Sequence, residues 1–178
     1  MREEVVISGL GGQGVLVIGR LLAQAAILDG LNITWLPSYE ATMRGGTVSC
    51  SIVLASDEIG SPVFSEPTLA IAMSQVSVDM IGPRVKSGGL LVVNGSMVER
   101  KPSRNDLRVV EVPASRVARE LGNAQLASMV ALGAFVKATR AVSLESVKRC
   151  METAMAKRGP SVVSANDQAL QNGFDFVR

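Results

Sequence analysis

Glu4-Val5-Val6-Ile7-Ser8-Gly9-Leu10-Gly11-Gly12-Gln13-Gly14-Val15-Leu16-Val17-Ile18 is the stretch that decides the fold. Val5 to Ile7 is a short β-favouring apolar run and reads as a buried strand, bounded by Ser8-Gly9. A helix is expected from about Gln13 to Asp29, with Gly30 as its stop signal. Gly9, Gly11 and Gly14 between them satisfy the G-x-G-x-x-G spacing in the right context, strand before and helix after. Gly9 would permit a tight turn, Gly11 a close approach of backbone to an anion, and Gly14 close packing of helix on strand. The unpaired N–H groups of the first helical turn, with the helix dipole, favour negative charge there. Gly9, Gly11, Gly12, Gln13 and Gly14 are therefore candidate binding residues. Two other readings stay open: a turn needed only for packing, and close contact with a partner chain.

A dinucleotide is the specific version of the anion reading. It calls for an acid about 20 residues on, at the end of the second strand, to hold the ribose. The second strand is expected at Ile33–Leu36, stopped by Pro37, and no acid stands at its end. Asp29 falls before it and Glu40 inside the following loop. A stand-alone NAD(P)-binding Rossmann protein is thus the alternative, not the first reading.

Outward from the turn, strands are expected at Thr47–Leu54, Leu69–Met73, Leu90–Val93 and Leu107–Val112. A helix is expected over Val76–Lys86, and Asn94-Gly95 is a turn signal. Pro113 opens a helix-rich half, with helices near Ala114–Leu121, Leu126–Arg140 and Leu144–Lys157, and another over Val162–Leu170. Ser143 is the expected N-cap of the third, with Ser146 where a capping box would want Glu. The first helix is apolar nearly all round and should be buried on more than one side. No repeat or linker interrupts the 178 residues, so one domain, 1–178, is expected. Alternating strands and helices give the fold class: α/β, a three-layer Rossmann-like sandwich with a mostly parallel sheet and helices on both faces.

Composition narrows the function. Hydrophobic residues make up 47% and charged residues 19%, so either the core is large or partners cover part of the surface. A net charge of +2 is too small to argue for nucleic acid or a membrane surface. No stretch reaches the roughly 18 apolar residues of a membrane span. Met1-Arg2-Glu3-Glu4 runs straight into the first strand, so no secretory signal is read, and a cytoplasmic chain with free thiols at Cys50 and Cys150 is expected.

The loop after the second strand, Ser38-Tyr39-Glu40-Ala41-Thr42-Met43-Arg44-Gly45-Gly46-Thr47, carries the lone tyrosine, a cation and two glycines at the carboxyl end of the sheet. Ligands gather at that end in open α/β sheets. Ser38, Tyr39 and Arg44 join the candidate binding residues. Gly9–Gly14, Leu36-Pro-Ser-Tyr39, Met43-Arg-Gly-Gly-Thr47, Ile59-Gly-Ser-Pro62 and Glu66-Pro67, in this order, resemble the gamma subunits of 2-oxoacid:ferredoxin oxidoreductases. The Met43–Thr47 phrase looks closer to the 2-oxoglutarate type than to the pyruvate type. The family commonly has Ser-Tyr-Gly-Pro-Glu where this chain reads Ser38-Tyr39-Glu40-Ala41-Thr42.

The resemblance implies an accessory subunit of a complex that oxidises a 2-oxoacid with coenzyme A, releases CO2 and acyl-CoA, and passes electrons to ferredoxin. Thiamine diphosphate, magnesium and iron–sulfur clusters would sit in other chains, with no cofactor held by this chain alone. The implied partners are alpha, beta and delta (ferredoxin-like) subunits, with ferredoxin as acceptor. The isolated chain should be inactive.

The residues point the same way. There is no histidine, which removes the commonest general base and every histidine-ligated metal site. Two cysteines far apart in sequence cannot hold a four-cysteine cluster, and no Gly-Asp-Gly segment or Walker lysine is present. No catalytic residue and no metal ligand is assigned. Leu126, Met129, Val130, Gly133 and Val136 read as core, with a subunit interface as the second reading. Arg100, Lys101, Arg104 and Arg108 read as a solvated face, with docking of an acidic partner or coenzyme A phosphates as the second reading.

Overall fold

The computed structural model describes residues 1–39, 46–100 and 102–178. β1 (Arg2–Leu10) is the strand expected at Val5–Ile7, lengthened at both ends. Val5, Val6 and Ile7 are all buried because β1 lies inside the sheet with cover on both faces. α1 (Val15–Leu28) follows the glycine turn. Its C-terminus closes on Gly30 at φ +80, with Gly30 N–H donated to the Ile27 carbonyl and Leu31 N–H to the Ala26 carbonyl. This is a Schellman ending at the expected glycine.

β2 (Asn32–Tyr39) and β3 (Thr47–Ala55) then form an antiparallel pair. β4 (Leu69–Ala72), α2 (Gln75–Ile81), β5 (Leu90–Asn94) and β6 (Arg108–Val112) complete the sheet half of the chain. The strand order is β2-β3-β1-β4-β5-β6. β1, β4, β5 and β6 are mutually parallel, and β3 runs against both its neighbours. β3 alone therefore opposes the other strands, giving a mixed sheet within the expected sandwich.

Two local expectations need correction. Pro37 does not stop β2, which continues through it to Tyr39, with Pro37 opposite Cys50. β2 is an edge strand, where a missing N–H need not break a ladder. Asn94 is more than a turn residue: it is fully buried, donating to the Met73 carbonyl at 3.4 Å and Ser115 Oγ at 2.8 Å and accepting from Ser115 N–H at 3.1 Å. It ties the ends of β4 and β5 to α3 (Ala114–Glu120).

α3, α4 (Ala127–Thr139), α5 (Leu144–Met155) and α6 (Pro160–Phe176) build the C-terminal half. α1 and α4 lie against the strands, and α5 and α6 close over them. Every residue from Ala127 to Val136 is buried, which bears out the core reading of that stripe. Gly133 serves the chain's own packing: a Cβ there would be driven into the Leu170 carbonyl oxygen of α6. α6 runs well past the expected Leu170, with Pro160 at its first turn and Gly173 against Val130 of α4. The opposite sheet face has a smaller core of Val6, Ala70, Ala72, Leu91 and Val93 under Val78 and Ile81 of α2. No helix among the described residues is long and apolar enough to cross a membrane.

The N-cap of α5 uses a partner from elsewhere. Ser143 Oγ accepts from Ser146 N–H at 3.1 Å, as a cap should. The acid of the capping box comes from Asp29, at the end of α1. Its carboxylate accepts from Ser143 N–H at 2.5 Å, Ser143 Oγ at 3.0 Å and Ser146 Oγ at 2.5 Å. Partial burial alone would raise this carboxyl, but the Ser146 and Ser143 bonds outweigh it and hold the pKa below the ordinary aspartate range.

Candidate functional site

The glycine turn lies at the carboxyl end of β1, beside the end of β4. This is where α1 and α2 leave for opposite faces of the sheet, the crevice that open α/β sheets use for ligands. Gln13 braces it. Its Oε1 accepts from Leu10 N–H at 2.7 Å, and its Nε2 donates to the Met73 carbonyl at 3.3 Å. Gln13 N–H is donated to the Leu10 carbonyl at 3.1 Å, and Gly11 N–H to the Gly46 carbonyl at 3.2 Å. Gly12 and Gly14 stand at φ +87 and +75, in the left-handed region that disfavours a side chain.

The glycines divide into two kinds. A Cβ on Gly9 would lie 2.7 Å from Val15 Cγ2, and one on Gly14 would lie 2.5 Å from Ser128 Oγ on α4. Both are packing positions. Gly9 is still within β1 and does not form the turn, and Gly14 meets α4 as its close neighbour. A Cβ on Gly11 would find only the Gly46 carbonyl, at 3.9 Å, and one on Gly12 nothing within 4 Å. These two keep the mouth of the turn open.

A cleft of about 230 Å³ opens there, between Gly12, Gly14, Leu16 and Val17 on one side and Tyr39 and Val48 on the other. Tyr39 is 67% exposed and reaches the cleft from the end of β2. Ser38 is exposed too, but successive strand residues face opposite ways, and it shares the register row of Ser49 and Ser8. The structure brings Gly12, Gly14 and Tyr39 together, makes Gln13 and Gly11 the braces, buries Gly9 beneath them, and leaves Ser38 aside. Arg44 lies outside the described residues.

Among the described residues, the walls of the cleft are apolar and carry no charged side chain. Gly11 N–H, which would face a pyrophosphate, is held by Gly46. β3 stands between β1 and β2, so the end of β2 is two strand spacings from the turn, roughly 10 Å. A tyrosine spans that gap; a ribose-binding carboxylate at the end of β2 would not. Among the described residues, the arrangement suits an apolar or aromatic group laid against Tyr39 better than a dinucleotide phosphate.

Three features escaped the sequence reading. Ser128 seats against Gly14; its only signal is a hydroxyl inside an otherwise apolar run. The Met73 and Gly46 carbonyls hold the turn through pairings distant in sequence. Ser8, Ser74 and Ser77 join hydroxyls behind β1, at 3.2 Å from Ser8 to Ser77 and 2.9 Å from Ser74 to Ser77. The basic cluster is dispersed. Arg104 holds Asp106 and the Gly82, Pro83 and Val85 carbonyls. Arg108 donates to the Ala138 carbonyl at 3.1 Å, and Arg100 pairs with Asp79 at 3.4 Å. Lys101 lies outside the described residues. Burial pushes the Cys50 thiol up to about 11, against smaller opposing effects of Trp35 and the Ile7 backbone.

Comparison with known proteins adds a second line. The family model described as "Pyruvate ferredoxin/flavodoxin oxidoreductase" matches residues 4–176. The chain is 32% identical to the ketoisovalerate oxidoreductase subunit VorA of Methanothermobacter marburgensis over 98% of its own length, but spans only 36% of that relative. It is 32% identical to the 2-oxoglutarate synthase subunit KorC of the same organism, covering 99% of this chain and 97% of that one. Among solved structures, the gamma subunit of a keto/oxoacid ferredoxin oxidoreductase from Geobacter sulfurreducens superposes with a TM-score of 0.82 at 28% identity, covering 97% of this chain and 96% of that chain.

Proposed function

Because the chain belongs to the pyruvate ferredoxin/flavodoxin oxidoreductase family, we propose that it is the gamma-type accessory subunit of a 2-oxoacid:ferredoxin oxidoreductase complex. The complex would convert a 2-oxoacid, coenzyme A and oxidised ferredoxin to acyl-CoA, CO2 and reduced ferredoxin. One observation carries the reading: similarity runs the whole length of a short subunit, KorC, whereas the same domain is about a third of the longer VorA. A domain that occurs both free and as part of a larger chain works beside further polypeptide. The match to KorC over 97% of its length favours 2-oxoglutarate as substrate, with the branched 2-oxoacid of VorA as competitor.

We place thiamine diphosphate, magnesium and the iron–sulfur clusters of the complex outside this chain. It has two cysteines and no histidine, and no group of three or more His, Cys, Asp or Glu among the described residues could hold a metal. We assign those groups to the alpha, beta and delta partners, and the assembly to the cytoplasm. The part left to this chain is positional. The braced turn and Tyr39 offer a firm apolar surface that a partner chain, or the adenine of coenzyme A, covers on assembly.

A tagged chain recovered from its own cell extract tests this. It should bring down a thiamine diphosphate-binding polypeptide and an iron–sulfur polypeptide in fixed ratio. Recovery of the chain alone, from extract that oxidises 2-oxoglutarate, would overturn the reading. So would tight NAD(H) binding by calorimetry, which would restore the nucleotide alternative.

A further inference from the structure

The outward side of α1 is poorly suited to water. Val17, Arg20, Gln24, Ile27 and Leu28 recur at the three- and four-residue spacing of a single stripe. Val17, Ile27 and Leu28 are 43%, 57% and 49% exposed. Sheet and α5 cover the rest of the helix, so the third apolar side is left open within this chain. Its neighbour α5 shows the contrasting design, with Glu145, Arg149 and Glu152 exposed and Val147, Met151 and Met155 buried.

Between the two helices runs a groove of about 460 Å³. Cys150 lies in it at 8% exposure, Ile27 and Leu28 form one wall, and Arg149 stands on the other with Arg20 nearby. Both charges lining the groove are positive, and neither takes part in an ion pair among the described residues. The nearby carboxylate of Asp29 is already bonded to Ser143 and Ser146. An apolar occupant alone would desolvate two arginines without compensation. An occupant with carboxylates at the rim would match both the apolar wall and the charge.

We propose that the α1–α5 groove is the docking site for an acidic amphipathic helix of the larger partner polypeptide. Its aliphatic side chains would pack on Ile27 and Leu28, and its carboxylates would face Arg20 and Arg149. The helix-in-groove mode suits this surface, since a stripe spaced at three and four residues is read by another such stripe. The inference rests on the reading of the chain as a complex subunit and adds the place of contact.

The test uses the co-expressed complex and, for affinity, separately purified chain titrated against the partner subassembly. Arg20→Glu with Arg149→Glu should weaken assembly about tenfold or more, the loss expected when close charge pairs are reversed. Arg20→Lys with Arg149→Lys should retain assembly, and raising salt should weaken the wild type more than the reversed variant. Ile27→Ser with Leu28→Ser should weaken assembly without that change in salt response. Both sites are exposed, so melting temperatures should hold. Wild-type assembly with unchanged affinity in the reversed variant overturns the groove and leaves the subunit reading standing. A wild type that does not assemble removes both.

Discussion

Where α4 crosses α6, a methyl group on Gly133 or Gly173 would be driven into the carbonyl oxygen of Leu170 or Val130. In the turn after β1, a methyl on Gly12 would meet nothing within 4 Å. The first pair of glycines lets two helices touch inside one chain. The second keeps a surface open for something this chain does not supply. The residue type is the same and the physical reason opposite, and the stretch from Gly9 to Gly14 contains both kinds, since Gly9 and Gly14 pack while a Cβ at Gly11 or Gly12 would face open space. A glycine motif therefore need not be a ligand motif at every position, and only the open positions bear on function.

The contrast can be broken by substitution. The largest effect is expected at the helix crossing. Gly133→Ala or Gly173→Ala should cost about 3 kcal/mol, the upper end for overpacking, because the obstructing atoms are backbone. Urea denaturation measures it, and a loss near zero would mean the helices separate freely. Gly14→Ala combines a left-handed conformation with the Ser128 contact and should cost about 2 kcal/mol. Ser128→Gly should recover part of that in a double-mutant cycle, leaving the backbone strain. Gly12→Ala meets only the strain and should cost about 1 kcal/mol. Gly11→Ala should stay within about 0.5 kcal/mol of wild type. If Gly11→Ala destabilises the chain as much as Gly133→Ala does, the division into packing and open glycines fails.

The smallest effect sharpens the picture at the other end of α1. The Ser146 and Ser143 bonds hold the Asp29 carboxyl below its ordinary range. An aspartate pKa lowered in the folded state contributes stability that is complete above the unfolded value. That contribution is lost as pH falls through the folded value. The tie between α1 and α5 should thus loosen in acid, below about pH 4. Asp29→Asn should flatten that part of the pH–stability curve and leave the glycine effects unchanged.

Much of this was legible in the sequence. Val5–Ile7, the glycine spacing and the apolar helix after it fix a strand, a turn and a helix through local chemistry alone. The largely apolar run at Ala127–Val136 read as core, with a subunit interface as the second reading, and it is buried within the chain. Strand order was not legible. β3 inserts antiparallel between β1 and β2, and nothing in Thr47–Ala55 states which neighbours it takes. Nor could Pro37 be placed without knowing that β2 is an edge. In the site, Tyr39 stood out as the lone tyrosine, but the opposite facing of Ser38 follows from register. The contact of Gly14 with Ser128 joins residues that only tertiary packing brings together.

The most direct test of the account is turnover, measured as viologen reduction with 2-oxoglutarate and coenzyme A. Purified chain, partner subassembly and the reconstituted complex are assayed side by side. The chain alone should give no rate, and adding it to the partners should restore full activity. Oxoacid oxidation by the chain alone would contradict the account.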